Sequence, residues 1–486
     1  SDRWTQASIL NLYDPDRSRR FTKGGTNVSP EAAFDFLKQL SASAQANGGQ
    51  GLAFLMERNT SPSRARLQKL IAQKFPKAKW FIHEAIDTDI HRHAASQAFG
   101  ASVKPYFKYD KAKVIVSLDC DFIGAEEDVA NNIRKFADGR RIETPKSEMN
   151  RLYVVEALMT LTGVNADHRL RVSASLVPQI AAALAAEIKG QSASVPAGVD
   201  QKWIAECAND LKAHRGASLV VAGYRQPIEV HLLANAINSA LGNVGKTVIL
   251  QEAPNGFEGN LADLAGFLNG GEVDTLVMLG GNPAYTAAAD LNWSAAQAKA
   301  KSVVRLGYYE DETFDATKRA NDWQIPAAHY LESWGDALTS DGTLVPVQPL
   351  IAPLFDGLTE IEVLARIAGE NDVEPYKIVR QTFAKISGSS DDIAWSKFLY
   401  TGFLEGSGAK VATGRLNEGA IAKAASEIKS AAPSKDSLEV VFYRDYSVDA
   451  VVTTTTAGFR NCRTRSRNTS GTMPFSSAAR LLLISA

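Results

Sequence analysis

Thr275-Leu276-Val277-Met278-Leu279-Gly280-Gly281-Asn282-Pro283 is the stretch on which the reading of the fold turns. Its first five residues are mostly apolar and too few for a buried helix, so they read as one buried strand. The two glycines that follow let the backbone turn with its amides open. In open α/β sheets, ligands sit in the crevice at that end of the strands. A nucleotide or pterin phosphate held there would meet Gly280, Gly281, Asn282 and Pro283. The plainer reading of the same residues is a tight strand-to-helix turn with no ligand.

Outward from this strand the same rhythm repeats. Residues 51–56, 79–83 and 114–118 read as buried strands, separated by helical stretches at 30–44 and 63–75. A second set of strands follows at 217–222, 247–251, 275–279 and 302–306, with the best helix at 229–241. Strands alternating with helices give a parallel sheet covered on both faces, so two doubly wound α/β units are expected. The Gly-, Ser- and Pro-rich residues 190–197 read as the link between them. The expected organisation is a connecting segment at 1–28, a first α/β domain at 29–210 and a second at 211–322. A loop-rich segment with helices at 360–368 and 393–403 then occupies 323–446, and an aberrant tail occupies 447–486.

Composition narrows the function. Basic residues number 53 and acidic residues 54, a balance with no basic surface to offer nucleic acid. No run approaches the roughly 20 apolar residues of a spanning helix, so no transmembrane segment is expected. The first residues lack the apolar centre of a signal peptide, so an export signal would lie upstream or have been removed. Cys120, Cys207 and Cys462 are far apart and form no C-x-x-C pair, which leaves this chain without the ligands for a zinc site or a four-cysteine cluster.

Other motifs are weaker. Gly245-Lys246-Thr247 hints at a phosphate loop, but the helix comes before it and the strand after it, so Gly242 and Gly245 read as helix-stop and turn residues. Asp119 and Asp121 flank Cys120 at a strand end, where carboxylates can hold a metal or a ribose; a solvated turn is the commoner use. His91 and His93 stand two apart in a helical stretch and so face different ways, which favours ordinary surface histidines over a metal pair. The G-x-S-x-G, H-E-x-x-H and EF-hand patterns are absent, and no catalytic acid, base or nucleophile is assigned.

Several longer segments together resemble one family. They are Ala7-Ser8-Ile9-Leu10-Asn11-Leu12-Tyr13-Asp14-Pro15-Asp16-Arg17-Ser18, then Met149-Asn150-Arg151-Leu152-Tyr153-Val154-Val155-Glu156 with Ala166-Asp167-His168-Arg169, and His214-Arg215-Gly216-Ala217-Ser218. Leu241-Gly242-Asn243-Val244-Gly245 resembles a molybdopterin-oxidoreductase signature without its spacer residue, and Gly280 to Pro283 resembles the strand-tip G-x-N-P of the same superfamily. The most specific run is His329-Tyr330-Leu331-Glu332-Ser333-Trp334-Gly335-Asp336, followed by Asp341-Gly342-Thr343 and Val347-Gln348-Pro349-Leu350-Ile351. The likeness is to the molybdopterin-oxidoreductase-like part of the large iron-sulfur subunit of alternative complex III, a bacterial respiratory complex.

That resemblance implies the molybdopterin-oxidoreductase-like fold of formate dehydrogenases and DMSO reductases, here as a non-catalytic scaffold of a respiratory quinol:electron acceptor oxidoreductase. It implies no cofactor in this chain, with the 3Fe-4S and 4Fe-4S clusters in a C-terminal portion the sequence lacks. Its partners would be a membrane quinol-oxidising subunit and c-type cytochrome subunits, placing the chain at the periplasmic face after Tat export. Gly280, Gly281, Asn282 and Pro283 would line a vestigial pterin cleft, and His329, Glu332, Trp334 and Asp336 would fix the returning loop against it. The alternatives are a genuine Mo- or W-bis-pterin oxidoreductase, the degenerate molybdopterin-like part of an NADH dehydrogenase large subunit, and a generic nucleotide-binding α/β protein.

The tail reads differently from the rest. No acidic residue follows Asp449, no lysine follows Lys435, and five arginines fall between Arg460 and Arg480. Read one nucleotide out of frame from near Ala450, the tail can encode a string similar to the family's next segment. The expectation is an out-of-frame end of a truncated product, without a packed structure.

Overall fold

The computed structural model describes residues 5–444 and 479–483, apart from residues 7, 193, 254–258, 429–432, 435 and 437. In chain order its strands are β1 (Phe21–Lys23), β2 (Thr26–Val28), β3 (Leu52–Met56), β4 (Lys79–Ile82), β5 (Val103–Phe107), β6 (Val114–Leu118), β7 (Arg151–Glu156) and β8 (His168–Arg171). Then come β9 (Ser218–Ala222), β10 (Val248–Glu252), β11 (Thr275–Leu279), β12 (Ser302–Gly307), β13 (Trp323–Pro326), β14 (Gly335–Leu338) and β15 (Leu344–Val347).

The chain forms two compact units, and neither is continuous in sequence. One comprises Ser1–Ala85 and Gly256–Gly408; the other comprises Ile86–Asn255 and Ala409–Tyr446. The expected cut near residue 210 is not how the strands are shared out. β9 joins the parallel sheet β8-β7-β6-β9, while β11, β12 and β13 join β3 and β4. Residues 190–197 accordingly lie within the second unit rather than between the two. Periodicity tells a strand from a helix but is silent on which strands pair, and that silence produced the sequential division.

The first unit is built on a seven-stranded sheet in the order β2-β1-β13-β12-β11-β3-β4. The five strands from β13 to β4 are parallel, whereas β1 pairs antiparallel with both β13 and β2, so the sheet is mixed rather than wholly parallel. Helices cover both faces. Pro30–Asn47, Pro62–Lys74 and Glu360–Ala368 pack one core, with Trp80 stacked on Phe54 at 4.0 Å between ring centres. Leu261–Asn269 and Trp293–Gln297 pack the other. Every residue of β3 is buried, which is why that strand reads as an unbroken apolar run.

Local signals set the helix ends. Ser29 and Ser61 each accept a backbone N–H at the start of a helix whose first residue is proline, and Gly48 stops the first of these helices in the left-handed conformation. The helix Leu261–Asn269 starts with a capping box formed by Asn260 and Asp263, and it contains Gly266, where an added Cβ would meet nothing within 4 Å. Gly266→Ala is therefore expected to raise stability by about 1 kcal/mol, read as a shift of the urea unfolding midpoint, because alanine loses less backbone freedom on folding.

In the second unit the four-stranded parallel sheet is covered by Val177–Ile188, Gln201–Ala213 and Ile228–Ala240, and β5 pairs antiparallel with β10. Gly242 and Gly245 have φ of 68° and 85° between that last helix and β10, as turn residues rather than a phosphate loop. Of the tail, residues 479–483 form a strand antiparallel to Val440–Arg444; the rest of 447–486, Cys462 included, lies outside the described residues.

Candidate functional site

The carboxyl ends of β3, β11 and β12 place Glu57, Gly280 and Tyr308 side by side at one edge of the seven-stranded sheet. Gly280 and Gly281 have φ of 82° and 70°, values that glycine adopts without strain. The room the glycines leave is filled from within the chain: a Cβ on Gly280 would lie 2.6 Å from Oε2 of Glu57. The backbone amide of Gly281 donates to that same carboxylate, and the amide of Gly280 donates to the Leu306 carbonyl at 3.0 Å.

Asn282 is also committed. Its Nδ2 donates to Oε2 of Glu312 at 2.7 Å, and its Oδ1 accepts from the Thr313 hydroxyl at 2.6 Å and the Thr313 amide at 3.2 Å. Pro283 begins the short helix Pro283–Thr286. Behind the turn, Arg305 spans β12 to donate to the Gly281 carbonyl at 3.1 Å and to Asp311 at 2.6 Å.

The electrostatics of this edge are acidic. Burial pushes the Glu57 carboxyl up to about 7, and the neighbouring Glu84 and Glu360 carboxylates add to the shift. Arg64 is the balancing cation, 3.3 Å from Glu360 and hydrogen-bonded to the Glu57 carbonyl. A phosphate-bearing tail does not fit this turn as the residues stand: the amide that would greet an anion already donates to the Glu57 carboxyl, and the Glu84 and Glu360 carboxylates act on the same group. The four residues singled out in the sequence do come together here, but Glu57, Arg64, Arg305 and Glu360 were missed. A signal for Glu57 existed, since it directly follows the strand at 51–56.

A carboxyl with its folded value raised from 4.5 to about 7 favours the fold while it is protonated. Stability from Glu57 is thus fully present below its unfolded value and is lost as pH rises toward 7. The expected outcome is that Glu57→Gln flattens the fall in melting temperature between about pH 4.5 and pH 7. Thermal scans of both proteins across that window check it.

The run from His329 to Asp336 also lies in the first unit and holds its own contacts. Glu332 makes a two-pronged pair with Arg17, at 2.9 and 2.7 Å, and accepts backbone amides from His329 at 2.7 Å and Leu354 at 3.0 Å. Asp336 accepts from the hydroxyls of Ser61 and Ser63 and from the Ser63 amide at 3.2 Å, so it anchors the start of the helix Pro62–Lys74. Trp334 packs against Tyr376 and Trp395. Burial lowers the His329 imidazole to about 4, so it is neutral at pH 7.

The second unit has a comparable edge. Asp119 and Asp121, expected in a solvated turn, are both buried. Asp119, with φ of 54°, accepts from Arg225 at 2.8 Å and Gln226 at 2.9 Å, while Asp121 accepts the Thr162 amide and hydroxyl at 2.9 and 2.8 Å. Burial lifts the Asp119 carboxyl to about 6 despite Arg225. His91 is half-buried, 3.1 Å from Glu126 and edge-on to His231, whereas His93 is exposed. Cys120 and Cys207 are buried free thiols, pushed up by burial. Among the described residues, no group of three His, Cys, Asp or Glu side chains could hold a metal ion, and no helix is long and apolar enough to cross a membrane.

A mixed seven-stranded sheet and a parallel four-stranded sheet, each packed against helices and with glycine turns at strand tips, define an α/β protein. Acetylene hydratase from Pelobacter acetylenicus has a similar structure: 12% identity, a TM-score of 0.63, and 84% of this chain aligned with 68% of that one. The likeness shows the fold alone, a distant molybdopterin-enzyme-like one, and does not extend to alternative complex III. A formyltransferase/hydrolase complex from Methylorubrum extorquens aligns over 74% of this chain and 99% of its own at 14% identity, with a TM-score of 0.46. No family model matches the sequence, and no curated protein matches it.

Proposed function

We propose that this chain is a docking and structural body on a molybdopterin-enzyme-like fold, serving a respiratory quinol-oxidising assembly of the alternative complex III type. The observation that carries the non-catalytic half of this reading is the Glu57 carboxylate, which takes the Gly281 amide and the space beside Gly280. The partner half rests on the resemblance of the run from His329 to Asp336 and the segments around it. On this reading a membrane quinol-oxidising subunit and c-type cytochrome subunits dock on the chain at the periplasmic face. Electrons then pass through 3Fe-4S and 4Fe-4S clusters carried outside it.

The fold likeness to acetylene hydratase supports a second reading at least as directly: a Mo- or W-bis-pterin enzyme. Its cofactor would have to be held by groups other than the Gly280 turn. Elemental analysis for Mo, W and Fe on chain expressed with pterin synthesis intact separates the two. Metal far below one atom per folded chain is the result expected of a scaffold, while near-stoichiometric Mo or W overturns it. Co-purification with c-type cytochrome, lost when only this chain's gene is deleted, tests the partners independently of the metal.

A further inference from the structure

At the amino-terminal end of the four-stranded sheet, opposite the strand tips described above, lies a cavity of about 550 Å³. It is lined by Lys111 and Lys113 ahead of β6, by Glu148, Asn150 and Arg151 at the start of β7, and by His214 after the helix Gln201–Ala213. Asn150 is 4% exposed, yet neither Nδ2 nor Oδ1 of its carboxamide has a hydrogen-bond partner. Its backbone is fixed, the N–H donating to Gly139 at 2.9 Å and the carbonyl accepting from Arg140 at 3.1 Å. A Cβ on Gly139 would come within 2.5 Å of Nδ2, so the glycine makes the room in which the amide sits.

We propose that this cavity is a binding site for a hydrogen phosphate or phosphomonoester group. A buried carboxamide without partners calls for a guest that accepts from its N–H and donates to its oxygen, whichever way the amide is turned. Monohydrogen phosphate does both with one group; sulfate, which carries no O–H at neutral pH, does not. The cations around the cavity are each held by a carboxylate of the chain, and Asp110 and Glu148 line it with them. Lys113 contacts Glu148 at 3.0 Å, Arg151 holds Asp210 through two hydrogen bonds at 2.6 and 2.8 Å, and Lys111 contacts Asp110 at 3.2 Å. Lys113, His214 and Arg151 all act on the exposed Glu148 carboxylate and hold it below the usual carboxylate range. Glu148 is thus the chain's own exchangeable anion, and a phosphate entering the cavity replaces it on Lys113 while satisfying Asn150.

Isothermal titration of the full chain with inorganic phosphate, against sodium sulfate at matched ionic strength, tests this. Phosphate is expected to bind about ten-fold or more tightly than sulfate, and Glu148→Gln to tighten phosphate several-fold by removing the competing carboxylate. Asn150→Leu should lose the preference for phosphate over sulfate; Asn150→Asp, nearly the same size, should lose phosphate binding and covers the case in which the leucine variant fails to fold. Equal affinity for the two anions in the wild type would reduce the site to ionic screening. Absence of binding in both the wild type and Glu148→Gln would overturn it.

Discussion

Glu332→Ala is expected to destabilise the first unit by about 3–5 kcal/mol, the range for removing one partner of a buried ion pair. The pair it breaks is closed to water, with the Arg17 and Glu332 side chains 2% and 1% exposed. Four donors converge on the carboxylate, two from the guanidinium and one each from the His329 and Leu354 amides. The alanine would take this acceptor from the His329 and Leu354 amides and leave the buried Arg17 charge without its carboxylate, held only by the Leu12 and Ala327 carbonyls and with an Nε that already lacks a partner. Arg20–Glu310 is the control. It has the same 2.7 Å separation, but its side chains are 45% and 30% exposed, and Glu310→Ala should cost under about 1 kcal/mol. Urea midpoints of the two variants compare them directly, and equal losses would contradict the buried placement of Glu332.

The pair also leaves a signature in acid. Burial works to raise the Glu332 carboxyl, but the hydrogen bonds from Arg17 and the two amides outweigh it and hold the group below its ordinary value. Its contribution is therefore present above the unfolded value and is lost as pH falls through the lower folded one. Glu57 does the opposite, so Glu332→Ala and Glu57→Gln should alter the pH–stability curve on different sides.

What the sequence disclosed follows from which interactions are local. β3, β6, β9 and β11 were legible because both faces are buried and the runs are unbroken. β7 begins with an exposed arginine and ends with a buried glutamate, β8 reads His-Arg-Leu-Arg, and β13 includes the fully buried Gln324, so none stood out as a strand. The site was half legible for the same reason. Gly280 and Gly281 announce a turn by their type, but the carboxylate that fills it belongs to another strand. Asp119 and Asp121 looked like turn residues because the groups that bury them stand 107, 106 and 41 positions away, at Gln226, Arg225 and Thr162. Long-range partners also explain why the two interleaved units looked sequential.

The strand tip at Asp119 yields the other large effect, from one methyl group. β6 and β9 are parallel neighbours with Leu118 opposite Ala222, so the chain leaves the sheet at Asp119 and at Gly223 together. Asp119 turns there with φ of 54°, and a Cβ on Gly223 would stand 2.0 Å from its carbonyl oxygen and 2.9 Å from the Cα of Cys120. Both are backbone atoms, and neither strand can give way. The Asp119 amide donates to Val155 at 2.7 Å and the Gly223 amide to Leu118 at 3.0 Å, while the Gly223 carbonyl accepts from the Gln226 amide and lies 3.0 Å from the buried His231 ring. Gly223→Ala is therefore expected to cost about 3 kcal/mol, at the upper end for overpacking, where the same change at Gly266 stabilises. The displaced Asp119 would slacken its grip on Arg225 and Gln226, so its carboxyl, now near 6, should move in the variant's carbon NMR titration. A variant as stable as the wild type with an unmoved Asp119 would mean that β6 and β9 do not part where the structure places them.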